Sequence, residues 1–107
     1  MTDADRSPVL KAFGQAVRAS RKAQGFSQEG FAHYFGLDRS YMGGVERGER
    51  NVTLANMERI IAALHMKPSE FFLALDVHFR DINVQLKTAH LNGFAPYYLQ
   101  DIPRKPS

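Results

Sequence analysis

The donors best suited to chemistry in this chain stand at two neighbouring helix starts. Gln28 opens one of them, where a side-chain amide and free backbone N–H groups can both meet a phosphate. Arg39 opens the next, with Ser40 beside it in an exposed first turn behind a capping Asp38. The arginine fork matches the O6 and N7 acceptors of guanine, a contact worth about 1–3 kcal/mol of discrimination. Reading a duplex needs both kinds of group, some fixing register on phosphates and others reaching base edges. Ser40 is a less selective reader, and Tyr41 suits the backbone better than the bases. The plainer alternatives are a phosphate contact for Arg39 and an ordinary exposed helix start for Gln28.

Other chemistries find little to stand on. His33, His65, His78 and His90 have no metal-ligand spacing and no cysteine companions, so neither a metal nor a cofactor is expected. No Ser/His/Asp set or carboxylate pair sits in a context for catalysis, and an enzyme is not expected. The chain has no cysteine, which excludes disulfides and suits a reducing cytoplasm. Its N-terminus, MTDADRSP, is polar and acidic, and no apolar run approaches the roughly 20 residues that a bilayer requires, so no membrane partner is expected. Between residues 10 and 50, Lys11, Arg18, Arg21, Lys22, Arg39, Arg47 and Arg50 outnumber Glu29, Asp38, Glu46 and Glu49 by three, which accounts for the whole net charge of +3. A basic cluster alone is more often a solvated face; beside paired helix starts it points to a polyanion.

The elements that must position these donors are helices. The 107 residues suffice for one core. A first helix is expected over 9–23, with Ser7 capping, Pro8 at the first position, Phe13 and Val17 inward and Gln24-Gly25 as the stop. Ser27 caps a second over 28–35, where Phe31, Ala32 and Phe35 share a face, and Gly36 ends it. A third spans 39–47, with Met42 and Val45 inward and Gly48 beyond its end. Thr53 caps a fourth, whose stripe is Leu54, Met57, Ile60, Ile61 and Leu64. A fifth starts near Pro68, with Phe71 and Phe72 plugging the core. Helix, short glycine turn and helix is the arrangement that presents a recognition helix to the major groove.

From SQEGFA through the Gly36 turn to VERGER, with the lead-in VRASRKAQGFSQ and the trailing LANMERIIAALHM, the chain resembles the Cro and lambda-repressor type of helix-turn-helix domain, often called XRE, over roughly residues 10 to 75. The resemblance implies an all-α, five-helix lambda-repressor-like fold. It implies base contacts from Arg39, Ser40 and Gly44, and phosphate contacts from Ser27, Gln28, Tyr41, Arg47, Arg50 and Asn51. It further implies that Arg21 bridges to Glu46. Two departures stand out. Gly44 has no side chain with which to make the distal base contact, and with Gly43 it costs the helix roughly 1 kcal/mol per residue against alanine. Either helix and DNA approach closely there, or a neighbouring helix crowds the site. His65 also replaces the glycine that usually follows the fourth helix, so that corner is expected to differ in shape.

The expected organisation is a tail over 1–8, the DNA-binding domain over 9–76 and a C-terminal extension over 77–107. Phe72, Leu75, Phe79, Ile82, Leu86 and Ala89 alternate spacings of three and four, as a helical seam does, with Leu91-Asn92-Gly93 as its stop. Ile82, Val84 and Leu86 also alternate as a strand would; helix is favoured. Phe79, Ile82, Leu86, Tyr97 and Tyr98 are expected to build a homodimer, the alternative being an enlarged core of one chain. The resulting expectation is a cytoplasmic transcriptional regulator, bacterial or phage-encoded, of the small repressor or restriction-modification-controller type. It would bind a pseudo-palindromic duplex operator as a homodimer, with no effector identified. An antitoxin-like or other protein-interaction module on the same scaffold is the alternative.

Overall fold

Five α-helices follow one another: α1 (Pro8–Ala23), α2 (Gln28–Tyr34), α3 (Arg39–Glu46), α4 (Leu54–Ala63) and α5 (Pro68–Ala89). This computed structural model describes residues 7–89, with side chains through Ile82, and there is no strand among the described residues. The all-α five-helix fold expected from the sequence is the one observed.

Local chemistry sets most of the boundaries. Pro8 stands at the first position of α1, where its missing N–H costs nothing. Ser7 precedes it, but its hydroxyl makes no cap; its carbonyl instead receives the N–H groups of Leu10 and Lys11, at 3.1 and 3.2 Å. The other expected caps are in place. Ser27 Oγ accepts from Gly30 N at 2.9 Å, Asp38 Oδ1 from Tyr41 N at 2.7 Å, and Thr53 Oγ1 from Asn56 N at 3.1 Å. Glu70 reaches back to accept from Lys67 N at 3.0 Å, half of a capping box at the start of α5. His65 occupies the left-handed region, φ 56°, so the corner after α4 keeps the shape a glycine would give it. A non-glycine residue held there is costly, by roughly 1 kcal/mol or more. The His65 ring meets Phe35 edge-on, with centroids 6.0 Å apart, and this contact offsets part of that cost.

The core is built from one face of each helix. Val17, Phe31, Met42, Val45, Ile60, Leu64 and Phe71 are fully enclosed, and the Phe13 and Phe71 rings meet at 5.1 Å where α1 runs along α5. Two expected core residues are not there. Phe72 is 41% exposed, because adjacent helical positions lie about 100° apart and Phe71 already takes the inward one. Leu54, the first residue of α4, is 78% exposed.

Helix α5 passes Asp76 without a break and continues to Ala89, so the strand alternative for Ile82 to Leu86 does not hold. Its apolar residues divide into two stripes. Phe71, Leu75 and Ile82 are buried with the core, and Phe79 packs against it half-covered. Phe72, Leu73 and Val77 face outward. Ile82, expected at a dimer seam, is therefore occupied within its own chain. The side chain of Leu86 and all of Tyr97 and Tyr98, together with the Leu91-Asn92-Gly93 stop, lie outside the described residues.

Candidate nucleic-acid interface

The α2–α3 turn brings the expected donors onto one continuous surface. Gly36, at φ 65°, reverses the chain after α2, and Leu37 N closes the turn on Ala32 O at 2.8 Å. Asp38 then starts α3, leaving Arg39 and Ser40 exposed in its first turn. Arg39 Nη1 lies 3.1 Å from Glu29 Oε1 on α2. One turn further along α3, the Gln28 amide and Arg47 lie over Gly43, and Arg50 lies over Gly44 with its guanidinium 5.8 Å from the Tyr41 ring. Tyr41 Oη accepts from Asn56 Nδ2 at 3.1 Å, keeping its own proton to donate.

Arg39, Ser40, Gln28, Tyr41, Arg47 and Arg50 thus surround the outward side of α3, with Ser27 next to Gln28 at the start of α2. Asn51 is exposed in the loop beyond, next to Arg50 in the chain. Gly44 differs from expectation. It is buried beneath Arg50, and a Cβ added there would lie 2.9 Å from both Cγ and Nε of that arginine. Gly44 therefore presents nothing to a base, and the side chain lying across the position is Arg50. Crowding at Gly43 comes from Arg47 and from Gln28 of the neighbouring α2, and at Gly44 from Arg50.

Beneath the surface, one buried network fixes the tilt of α3. Arg21 donates from Nε to Glu46 Oε2 at 2.7 Å and from Nη2 to Oε1 at 2.9 Å, and its Nη1 donates to Phe26 O at 2.7 Å. The hydrogen bond to Glu46 raises the Arg21 pKa above the usual arginine value; desolvation by burial opposes the rise and the charge of Glu46 adds to it. Gln28 Nε2 donates to the same Glu46 Oε1 at 3.0 Å. The expected Arg21–Glu46 bridge is therefore present, and Gln28 joins it. The Gln28 amide carries a second N–H beyond the one it gives to Glu46.

Gly14 is the site-building residue that sequence reasoning missed. A Cβ there would stand 2.4 Å from Val45 O and 2.6 Å from Glu46 O, so α1 lies directly on the last carbonyls of α3. A mid-helix glycine reads in the sequence only as a propensity cost, and nothing in its spacing names the facing backbone. Among the described residues no group of three His, Cys, Asp or Glu side chains could hold a metal ion, and no helix is long and apolar enough to cross a membrane.

Known proteins share this fold. The control protein C.MunI of a Mycoplasma species is 44% identical over 61 residues, covering 56% of this chain and 82% of its own length. Control protein C.BamHI of Bacillus amyloliquefaciens is 44% identical over 59 residues, 54% of this chain and 73% of its own. Among solved structures, the restriction-modification controller C.AhdI of Aeromonas hydrophila superimposes with a TM-score of 0.54 at 53% identity, over 58% of this chain and 94% of that one. The controller C.Esp1396I, solved as a tetramer in complex with its natural 35 base-pair operator, gives a TM-score of 0.64 at 32% identity, over 68% of this chain and 96% of that one. Residues 17–71 match the helix-turn-helix family model, and the chain belongs to that family.

Proposed function

We propose that this protein binds duplex DNA sequence-specifically as a homodimer and regulates transcription in the manner of a small restriction-modification controller. The observation that carries the reading is the exposed Arg39–Ser40 tip of α3, supported from behind by the buried Arg21–Glu46 pair and the half-buried Gln28 bonded to it. A surface arginine on a mobile element makes a poor base reader. Here the helix carrying it is locked to two others, so the guanidinium arrives at a set depth and angle. Arg39 reads a guanine and Ser40 a neighbouring edge, while Ser27, Gln28, Tyr41, Arg47, Arg50 and Asn51 hold phosphates on either side. The controllers to which the chain is similar support the same reading, one of them being solved on its operator.

One recognition helix reads only a few base pairs, so useful specificity needs two copies about 34 Å apart on one face of the DNA. The outward apolar residues Leu54, Phe72, Leu73 and Val77 are the surface a second copy would cover. Leu54 and Phe72 also line a groove of about 310 Å³ between α4 and α5, with Met57, Glu58, Ile61, Ala62, Met66 and Pro68. Occupancy beside a promoter in a bacterial cytoplasm, blocking or recruiting polymerase, is the mechanism.

Selection from a random duplex library at fixed salt, followed by footprinting of the winner, tests the reading. A pseudo-palindrome with two protected half-sites one helical turn apart is expected. Equal binding of all duplexes would leave the scaffold as a protein-interaction module instead.

A further inference from the structure

Four carboxylates accompany the arginines of the basic stretch, and three of them have structural work. Glu46 accepts from Arg21 and Gln28, Asp38 caps α3, and Glu49 pairs with Arg47 in the loop after it, Nε to Oε2 at 2.9 Å. Glu29 differs. It sits in the first turn of α2, where the helix dipole favours a negative charge, and its Oε1 lies 3.1 Å from Nη1 of the base-reading Arg39. The two side chains are 68% and 69% exposed, so the pair is screened by water and adds little to the stability of the fold.

We infer that Glu29 is a specificity-determining residue, a carboxylate held beside Arg39 that aims its guanidinium and penalises its seating on phosphate. The inference rests on the DNA-reading role of α3 proposed above. With Nη1 engaged by Glu29, the Nε and Nη2 edge of Arg39 stays free for a two-donor contact with guanine. A carboxylate accepts hydrogen bonds and donates none, so beside a base it can take the amino proton of a cytosine or adenine. Beside a phosphate it finds only negative oxygen. On a random duplex Arg39 would fall onto the backbone, and Glu29 would be carried against that charge. On the matched site both side chains meet partners. The carboxylate thereby weakens non-specific binding more than specific binding, which widens the ratio between them.

The test measures Kd of wild type, Glu29→Gln and Glu29→Ala on the selected operator and on a random duplex across a salt series. Removing the carboxylate should tighten random-duplex binding by roughly fivefold, as expected for about 1 kcal/mol of relieved repulsion. The log-affinity against log-salt slope on random DNA should steepen by about one as Arg39 becomes a full phosphate ligand. The operator-to-random ratio should fall accordingly. In an Arg39→Ala background, Glu29→Gln should leave the salt slope on random DNA unmoved. Unchanged ratios and slopes in both Glu29 variants would overturn the inference, and so would equal weakening on both DNAs, which marks a support for the α2 start only. A wild-type protein without sequence preference removes the DNA reading itself, and this inference with it, before any Glu29 variant is compared.

Discussion

Arg21 and Glu46 face each other across the α1–α3 junction in a two-bond fork of 2.7 and 2.9 Å, with only 6% and 3% of their side chains exposed. Such a pair orients more than it stabilises, because desolvation offsets much of the Coulomb gain. Its location explains the use. One end belongs to the long helix that anchors the core, and the other to the last residue of α3.

Removing one partner strands the other. Arg21→Met should cost about 3–5 kcal/mol in urea denaturation, whereas Arg21→Met with Glu46→Leu should recover most of that. The recovered double variant should still bind DNA poorly, since the fold returns without the fork that sets the angle of α3. The raised Arg21 pKa fixes the sign with pH. Its contribution is complete below the unfolded arginine value and is lost only as strongly alkaline pH passes the folded one, so Arg21 should add no slope to stability between about pH 5 and 9.

Gly14→Ala tests the close approach of α1 to α3. The new methyl would meet Val45 O at 2.4 Å, which is backbone and cannot swing aside. A loss of about 1–3 kcal/mol is expected from overpacking, against the gain that alanine normally brings to a helix.

Gly44→Ala should behave in the opposite way. Only the flexible Arg50 side chain stands in its path, so stability should rise by up to about 1 kcal/mol while Arg50 is displaced. DNA binding should then weaken toward the level of Arg50→Gln. Neutralising Arg47 or Arg50 should weaken operator and random duplex alike, and flatten the salt slope by about one for each arginine neutralised. An unchanged slope with both neutralised would place that loop away from DNA.

The outward stripe of α5 offers a separate test. Leu73→Glu with Val77→Glu alters side chains that are 71% and 56% exposed, so the monomer fold should be kept. Sedimentation should shift to monomer, and binding to the palindromic site should fall far more than binding to a half-site. A persistent dimer would put the interface elsewhere on the chain.

Much of this was legible in the residues. Ser27, Asp38 and Thr53 are cap types in cap positions, and Gly36 and Gly48 mark turns that require positive φ. Helical spacing picked out Phe13, Val17, Phe31, Met42 and Ile60 as core, because one-sided burial imposes that period. What it could not assign was the second face of α5. Leu75, Phe79 and Ile82 keep the same three-and-four spacing whether they meet their own core or another chain, so the seam expected at a dimer interface lies partly in the core. Gly44 and Gly14 were opaque for a related reason. A glycine carries no chemistry of its own, and its meaning comes from whatever lies above it, here Arg50 in one case and the carbonyls of α3 in the other. The meeting of Gln28 with Glu46 depends on the crossing of two helices, which no local pattern encodes.

The central claim, that Arg39 at the tip of α3 reads a base, is tested most directly by titrating wild type and Arg39→Ala against the selected operator and against random duplex at matched salt. The account predicts a loss of about 1–3 kcal/mol on the operator, a smaller loss on random DNA, and a relaxed preference at one position in each half-site. An equal drop on every sequence would contradict it, making Arg39 a phosphate ligand and leaving α3 without its reader.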